Sequence, residues 1–204
     1  MLLSTPTHLE HISTLLGWSC PYPDYSIIRL AYEFATRYEG DVEGFLSRSA
    51  KVHQGKVNII HSSFDPVEIH VNGNRATSEA FCLITCSLPL AGVDYELASY
   101  MRLASRLEKL ADTNRWYILS LESIYVRDRL VTAFPASDNA PPLTISDDVL
   151  AYPKSYRYLA FIMLDGGLKP RLDLPHEDDQ EGVRRVLDRN LAFLDGTEGA
   201  ATEN

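Results

Sequence analysis

Three polar side chains alternate along one extended segment of this chain: His61, Ser63 and Asp65. In a β-strand, residues two positions apart lie on the same face, so this spacing would bring an imidazole, a hydroxyl and a carboxylate together. An imidazole ionises near neutral pH and is suited to proton transfer, which makes His61 the candidate general base. The alternatives are a core histidine bonded to a backbone carbonyl and a surface bulge around Pro66.

The candidate partner of His61 and further candidate substrate contacts are acidic and phenolic residues near the N-terminus. Asp24 follows a loop that contains two prolines, and an exposed turn carboxylate is the alternative reading of it. The phenols of Tyr25 and Tyr32 could donate hydrogen bonds to a substrate carbonyl. Because the chain has eleven tyrosines, a structural role is the alternative for each of them.

The segment that carries His61 is predicted to be the first arm of a β-hairpin. Asn72-Gly73 separates two runs of alternating hydrophobicity, and this pair strongly favours a type I′ turn. With these two residues in the loop, the residue numbers of each pair of opposed positions add up to 145. His61 is then opposite Ile84. Odd positions over 57–71 and even positions over 76–88 then share one face, and both sets are mainly apolar. The sequence therefore predicts a buried face with a polar island in it.

The remaining elements fall before and after this hairpin. Helical spacing of apolar residues predicts helices over 8–16 and 26–38 and a third from Asp41 to about Gln54. Two further strands, Tyr95–Lys109 and Trp116–Leu130, are expected after the hairpin. Four long antiparallel strands that follow N-terminal helices indicate an α+β fold in which a curved sheet wraps its helices.

The C-terminal part is expected to add two helices. The first begins at Pro153 and ends at Gly166-Gly167, and the second follows the acidic turn Glu177-Asp-Asp179. Their apolar sides are too small for an independent core, so they should pack across the sheet or over a pocket mouth. The expected division is a sheet domain over 1–140 with a helical extension over 141–204.

The composition is that of an acidic globular protein. The chain has 204 residues, 45% of them hydrophobic, and a formal net charge of −9, which disfavours a nucleic-acid partner. No apolar run approaches the roughly 20 residues that span a bilayer, and no signal peptide is recognised, so we expect a cytoplasmic protein without a membrane partner. Cys20, Cys82 and Cys86 match no metal-ligand spacing and are expected to be reduced packing residues.

Short segments between residues 40 and 131 have an informative order and spacing. They are Gly40-Asp-Val-Glu-Gly-Phe45, Ile59-Ile-His61, Val71-Asn-Gly-Asn-Arg-Ala76, Glu79-Ala-Phe-Cys82, Arg102 with Arg106-Leu-Glu108, Arg115-Trp-Tyr-Ile118 and Ile124-Tyr-Val-Arg-Asp128. Together they resemble the SnoaL-like branch of the nuclear transport factor 2-like superfamily, which includes scytalone dehydratase, polyketide cyclases and ketosteroid isomerase. The resemblance implies a cone-shaped antiparallel sheet with a deep apolar pocket, in which a side-chain acid or base moves protons without a metal or an organic cofactor.

The same resemblance implies roles for individual residues. A histidine on this strand is the general base in the dehydratase relatives, usually paired with an aspartate of the first helix, so His61 and Asp24 are the expected catalytic residues. The residues expected to contact a small-molecule substrate are Tyr25, Tyr32, Ser63, Asp65, Met101 and Tyr125. This chain has Leu103 and Ser105 where many relatives have tyrosine and aspartate.

Two functions follow as expectations. The first is a cofactor-free isomerase/cyclase or dehydratase that acts on an aromatic or polyketide-like small molecule. The second is a non-catalytic small-molecule-binding or assembly module of the same fold. The opposite face of the sheet carries apolar residues beside Glu79, Arg102 and Arg106, which predicts a homodimer through that face.

Overall fold

The computed structural model describes residues 30–34, 36–40, 44, 47, 57–63, 66, 68–112, 114–134 and 143–197. The strands are β1 (Leu30–Phe34), β2 (Thr36–Gly40), β3 (Val57–Ser63), β4 (Glu68–Asn72), β5 (Arg75–Leu90), β6 (Val93–Lys109) and β7 (Trp116–Thr132). The helices are α1 (Asp147–Leu150), a 3-10 turn (Lys154–Tyr156), α2 (Arg157–Asp165) and α3 (Gln180–Asp195). Among the helices of these residues, none combines the length and the apolar character needed to cross a membrane.

One curled sheet contains every described strand and gives the molecule the predicted α+β fold. Its order is β2-β1-β7-β6-β5-β3, and β4 also pairs with β5. The long antiparallel strands β5, β6 and β7 form its centre, and the predicted bounds of β6 and β7 are confirmed to within two residues at each end. The turn between β5 and β6 has positive φ at both Ala91 (50°) and Gly92 (79°), as a type I′ turn requires.

The predicted pairing of His61 with Ile84 is confirmed. Positions in β3 and β5 sum to 145 over most of their contact, so that Ser63 lies opposite Cys82. Directly opposed residues of antiparallel strands share a face, and Ile84 and Cys82 are both buried. The backbone register therefore assigns positions 61 and 63 to the buried face of the sheet.

The turn that was predicted to set this register lies elsewhere. Asn72 pairs with Arg75, so the loop residues are Gly73 and Asn74 and the expected Asn72-Gly73 loop is wrong. Of these two loop residues only Gly73 has positive φ (+62°), which is the pattern of a type II′ turn with glycine in its first central position. In the observed turn only glycine adopts positive φ, whereas the predicted type I′ turn would have required it of Asn72 as well, with the steric cost of a Cβ.

Two deviations from the predicted hairpin cancel each other. The residue numbers of opposed positions in β4 and β5 add up to 147, as for Ile69 with Ser78. Those of opposed positions in β3 and β5 mostly add up to 145, as predicted. The residues between β3 and β4, which include Pro66, take up the difference of two. Because the shift is an even number, it leaves every residue on its predicted face.

The predicted burial of the odd positions fails in β4. Ile69 and Val71 are 60% and 61% exposed. In the described part of the sheet β4 pairs with β5 alone, so it is an edge strand whose side chains lack a second neighbouring strand. The alternating pattern correctly predicted the strand and its face, but it could not show that the face ends there.

The predicted helix over 26–38 is also wrong where the structure describes it. Residues 30–34 and 36–40 form the antiparallel pair β1 and β2, and β1 runs parallel to β7. This segment has aromatic residues at alternate positions as well as at helical spacing, and pairing with the backbone of β7 favours the strand. Gly44 and Ser47, within the predicted helix after Asp41, are helical, whereas the predicted helix over 8–16 lies outside the described residues.

The inner face of the sheet, which is the face of Ile84 and Met101, is covered by the C-terminal segment up to α2. The core residues of the sheet are Cys82, Ile84, Cys86, Leu97, Met101, Leu103, Leu121 and Tyr125. The residues that cover them are Tyr152, Tyr156, Leu159, Ile162 and Met163. Each large apolar side chain buried in this way contributes roughly 1.5–3 kcal/mol, so the sheet and this segment stabilise each other.

The outer face of the sheet, which is the face of Arg102 and Ala104, is covered in part by α3. This helix begins after Asp179, whose carboxylate accepts a hydrogen bond from the Gly182 amide at 3.0 Å and caps the helix as the acidic turn predicted. Val183 and Val186 of α3 pack against Ala104 and Ile124. The helices thus pack on the sheet as expected. The boundary at residue 140 between a sheet domain and a helical extension stays a prediction.

Candidate functional site

The sequence-predicted site residues fall into three groups. Asp24, Tyr25 and Asp65 lie outside the residues that the structure describes. Tyr32 lies in β1 rather than in the predicted helix, and its backbone pairs with Leu121 of β7. The other four, His61, Ser63, Met101 and Tyr125, lie in β3, β6 and β7 of the sheet.

Met101 and Tyr125 form the floor of the inner face. They are directly opposite each other on β6 and β7 and are 1% and 0% exposed. The ring of Tyr156 covers Tyr125 with 5.0 Å between the ring centroids. Both side chains are therefore closed off from solvent in this structure.

A row of four directly opposed residues crosses the inner face. His61 of β3 faces Ile84 of β5, which faces Ser99 of β6, which faces Asp128 of β7. We call these four residues the inner-face row. Because opposed residues share a face, the row places a histidine position at one end and a carboxyl group at the other.

The carboxyl group of Asp128 is held under the N-terminus of α2. Its Oδ2 accepts a hydrogen bond from the Leu159 amide at 2.7 Å. Burial raises the pKa of Asp128 from 3.8 to about 6, and the backbone amides of Leu159 and Tyr158 oppose this rise only in part. A carboxyl group with such a pKa exchanges protons near neutral pH, as general acid–base catalysis requires.

Among the residues that the structure describes, several buried polar atoms on this side of the molecule have no hydrogen-bond partner. They are Ser99 Oγ, Ser123 Oγ, Asp128 Oδ1 and His176 Nδ1. A buried polar group without a partner costs about 1–3 kcal/mol, so such atoms are uncommon unless a ligand or water satisfies them. Two of the four, Ser99 Oγ and Asp128 Oδ1, belong to neighbouring members of the inner-face row.

Aromatic rings form one wall beside this row. Tyr156 lies between Tyr125, Tyr152 and His176, with ring centroids 5.0, 6.2 and 6.1 Å away. Its hydroxyl donates a hydrogen bond to the Arg171 carbonyl at 3.2 Å, and burial raises the pKa of Tyr156 to about 12. The phenol thus stays protonated and anchors the segment over the sheet.

The cysteines of the sheet have a packing role. Burial raises the pKa of Cys82 to about 11, which keeps its thiol protonated and unreactive at neutral pH. Cys86 is buried on the same face. Over the residues that the structure describes, no group of three histidine, cysteine or acidic side chains has the arrangement needed to hold a metal ion.

Sequence reasoning missed Asp128 and Ser99. The strand pattern contains the necessary signal. Pairing carried from β5 to β6 and then to β7 leads from His61 through Ile84 and Ser99 to Asp128. It was obscured by the irregularity at Tyr100/Met101, where the register between β6 and β7 shifts by one residue. Such a bulge changes which residue of β7 faces Ser99, and no turn motif in the sequence marks it.

The raised pKa of Asp128 predicts a specific dependence of stability on pH. Because the folded state holds this proton more tightly than the unfolded state, Asp128 favours folding below pH 3.8, and that contribution is lost as the pH rises to about 6. Asp128→Asn keeps an acceptor for the Leu159 amide and removes the titration. Relative to wild type, its free energy of unfolding should increase by roughly 2–3 kcal/mol between pH 4 and pH 7.

Urea unfolding at a series of pH values measures this difference. The control is Asp165→Asn, which removes an exposed carboxylate from the other end of α2. Its difference from wild type should stay nearly constant over the same range. Parallel pH profiles for Asp128→Asn and wild type would show that the Asp128 carboxyl titrates normally.

Comparisons with known proteins place the chain near two fungal proteins. No family model matches it. A PEP2-like protein of Fusarium vanettenii is 25% identical over 187 residues, covering 87% of this chain and 78% of that protein. Pea pathogenicity protein 2 of the same fungus is 25% identical over 169 residues, covering 78% and 70%. A solved structure, the Kfla4162 protein from Kribbella flavida, is 14% identical with a TM-score of 0.40, covering 54% of this chain and 72% of that one.

Proposed function

We propose that this protein is a small-molecule enzyme that transfers protons at the inner-face row, as an isomerase/cyclase or a dehydratase of an aromatic or polyketide-like substrate. The observation that carries the proposal is the row itself. It combines a histidine position with the buried Asp128 carboxyl and the Ser99 hydroxyl, both of which have an atom without a partner in the described part of the chain. Proton transfer between two such groups calls for no metal or organic cofactor.

The dimensions of the row fit a ring-shaped substrate. Three strand spacings of about 4.8 Å separate the backbones of His61 and Asp128, about 14 Å in all. A molecule of one or two aromatic rings could lie over Ile84 and Ser99 between them. The apolar residue and the hydroxyl would then contact the ring and one of its oxygen substituents.

The two ends of the row have complementary tasks in the proposed reaction. The imidazole of His61 removes a proton from a carbon next to a carbonyl, and the electron pair of that C–H bond moves to the carbonyl oxygen as an enolate. Asp128, with its pKa of about 6, returns a proton to a carbon at the other end of the conjugated enolate in an isomerisation, or to a hydroxyl that departs from that end in a dehydration. Asp24 remains the proposed acidic partner of His61, and Tyr25, Tyr32, Ser63 and Asp65 remain proposed contacts of the substrate.

Access to the row requires the C-terminal segment to open. Leu159 and Tyr156 lie over the inner face, and the amide of Leu159 is bonded to Asp128 itself. We therefore propose that α2 and the 3-10 turn act as a lid, whose closure excludes water during the reaction. Opening the lid would free Asp128 Oδ2 from its backbone partner.

The alternative function is a non-catalytic binding or assembly module. The filled inner face favours it, because Met101 and Tyr125 have almost no exposed surface. The name of one relative, pea pathogenicity protein 2, favours neither function. An assembly module would hold no ligand in the row, whereas a non-catalytic binding module would hold one without converting it.

Mass spectrometry of compounds released from the natively purified, denatured protein tests this proposal. Wild type should release a small aromatic compound, and Ser99→Ala should retain several-fold less of it, because one hydrogen bond contributes about 0.5–1.5 kcal/mol. The matched control is Ser123→Ala, which removes the other unpartnered hydroxyl of the inner face outside the row. Equal retention by both variants, or no compound from wild type, would favour the assembly module.

A further inference from the structure

Arg157 joins two helices of the segment that covers the inner face. Its guanidinium donates hydrogen bonds to the Tyr152 carbonyl at 2.8 and 3.0 Å and to the Leu150 carbonyl at 3.1 Å. Carbonyls at the C-terminal end of a helix have no partner within that helix, and a cationic side chain is favoured there. Because Leu150 is the last residue of α1 and Arg157 is the first of α2, this side chain fixes the start of α2 against the end of α1.

The N-terminal turn of α2 is capped by a residue of the sheet. Tyr156 occupies the N-cap position, but its hydroxyl donates a hydrogen bond to the Arg171 carbonyl. The carboxyl group of Asp128 takes the place of the cap. It accepts a hydrogen bond from the Leu159 amide at 2.7 Å, and the Tyr158 amide also favours its ionised form. The ionisation of Asp128 therefore depends on where the first turn of α2 lies.

Among the described residues, Arg157 is also the charged side chain that acts on the Asp128 carboxyl. Its positive charge lowers the pKa of Asp128 and so opposes part of the rise that burial causes. The group that faces Asp128 from β6 is the uncharged hydroxyl of Ser99. The phenol of Tyr156, on the 3-10 turn, stays protonated because burial raises its pKa to about 12.

The other ionisable groups around Asp128 are directed elsewhere. Arg127 and Arg129, its neighbours on β7, lie on the outer face of the sheet. His61 lies at the far end of the inner-face row. The exposed ionisable groups of the covering segment up to the end of α2 include Asp147, Asp148, Lys154 and Asp165.

We propose that Arg157 is a positioning residue of the inner-face row, which holds the first turn of α2 over Asp128 and stabilises the carboxylate form of that residue. Its part in proton transfer rests on the proposed function, in which Asp128 gives up a proton and regains one in each cycle. A carboxyl group performs both steps best when neither of its forms is strongly favoured. Without Arg157, burial would hold the proton on Asp128 over a wider pH range.

NMR titration of the isotope-labelled carboxyl carbon of Asp128 tests the effect of the charge. Its signal is the one that Asp128→Asn removes, and in wild type it should give a pKa of about 6. Arg157→Gln should raise this pKa by roughly half a unit or more, because the carboxylate loses the neighbouring positive charge. Arg157→Lys keeps that charge and should restore roughly half of the difference or more.

Hydrogen exchange of the Leu159 amide tests the placement of α2. The bonds to the Leu150 and Tyr152 carbonyls require the fork of the guanidinium, which neither lysine nor glutamine has. Both variants should therefore exchange the Leu159 amide about tenfold faster than wild type, because the first turn of α2 opens more readily. Arg157→Lys decides this point even if Arg157→Gln does not fold.

The matched control is Arg184→Gln, which removes an arginine charge from the exposed side of α3, where Arg184 pairs with Asp188. It should change neither the titration of Asp128 nor the exchange of Leu159. An unchanged pKa of Asp128 in Arg157→Gln would overturn the proposal. So would an Arg157→Lys protein that restores less of the difference, or that exchanges Leu159 as slowly as wild type. Release of no compound by wild type would contradict the proposed function alone, because neither measurement needs a ligand.

Discussion

Replacing His61 by alanine should lower kcat for the compound released by the wild-type protein by about 10²–10⁴-fold, the range typical of general acid–base catalysis. The expectation follows from the proposed reaction, in which His61 removes the proton that starts the rearrangement. His61→Gln retains a polar side chain of similar length, so it should lower kcat more than it weakens substrate binding. Steady-state kinetics on both variants separate the two effects.

The matched control is the same substitution at another histidine of the sheet. His70 lies on β4, is exposed, and bonds to Glu68 at 2.6 Å. His70→Ala should therefore keep the wild-type kcat and KM. A His61→Ala protein that turns the compound over at the wild-type rate would place the base at another residue.

Replacing Glu122 by glutamine should lower the free energy of unfolding by roughly 2–4 kcal/mol. Glu122 is 5% exposed on the outer face, where it accepts a hydrogen bond from Arg189 of α3 and lies 3.7 Å from Arg106. The substitution leaves both guanidinium groups without their carboxylate, and removing one partner of a buried ion pair is strongly destabilising. The half-exposed position of Arg189 moderates the loss, because water solvates part of its charge.

Urea unfolding of Glu122→Gln at pH 7 measures this loss. The control is Asp188→Asn, which also converts a carboxylate of an ion pair to an amide. Its partner Arg184 is 70% exposed, so a change below about 0.5 kcal/mol is expected. Equal unfolding midpoints for the two variants would mean that α3 is held by its apolar contacts rather than by Glu122.

The central sheet could be predicted from the sequence because its strands are long and their patterns are regular. The pairing of His61 with Ile84 followed from strand parity and one turn, and it held although the turn lies one residue further on. An error of two positions in a strand preserves the face of every residue. The inward placement of a histidine position is therefore a safer inference than the exact turn that led to it.

The candidate site could be predicted only in part, because it depends on contacts between distant segments. Asp128 owes its raised pKa to burial under α2, whose first residues are about 30 positions later in the chain. The strands β1 and β2 owe their conformation to the free edge of β7, which outweighs a local helical pattern. Neither effect is contained in the periodicity of the segment itself.

The segment that joins α2 to α3 also protects the edge of the sheet. Pro175 and Glu177 form backbone hydrogen bonds with Tyr125 of β7, both 2.9 Å long, on the side of that strand away from β6. An uncovered edge invites pairing with strands of other molecules, which is a route to aggregation. We therefore expect a single proteolytic cut in this segment to loosen its hold on this part of the β7 edge. The segment that connects the two helices thus also pairs with the edge of β7 at Tyr125.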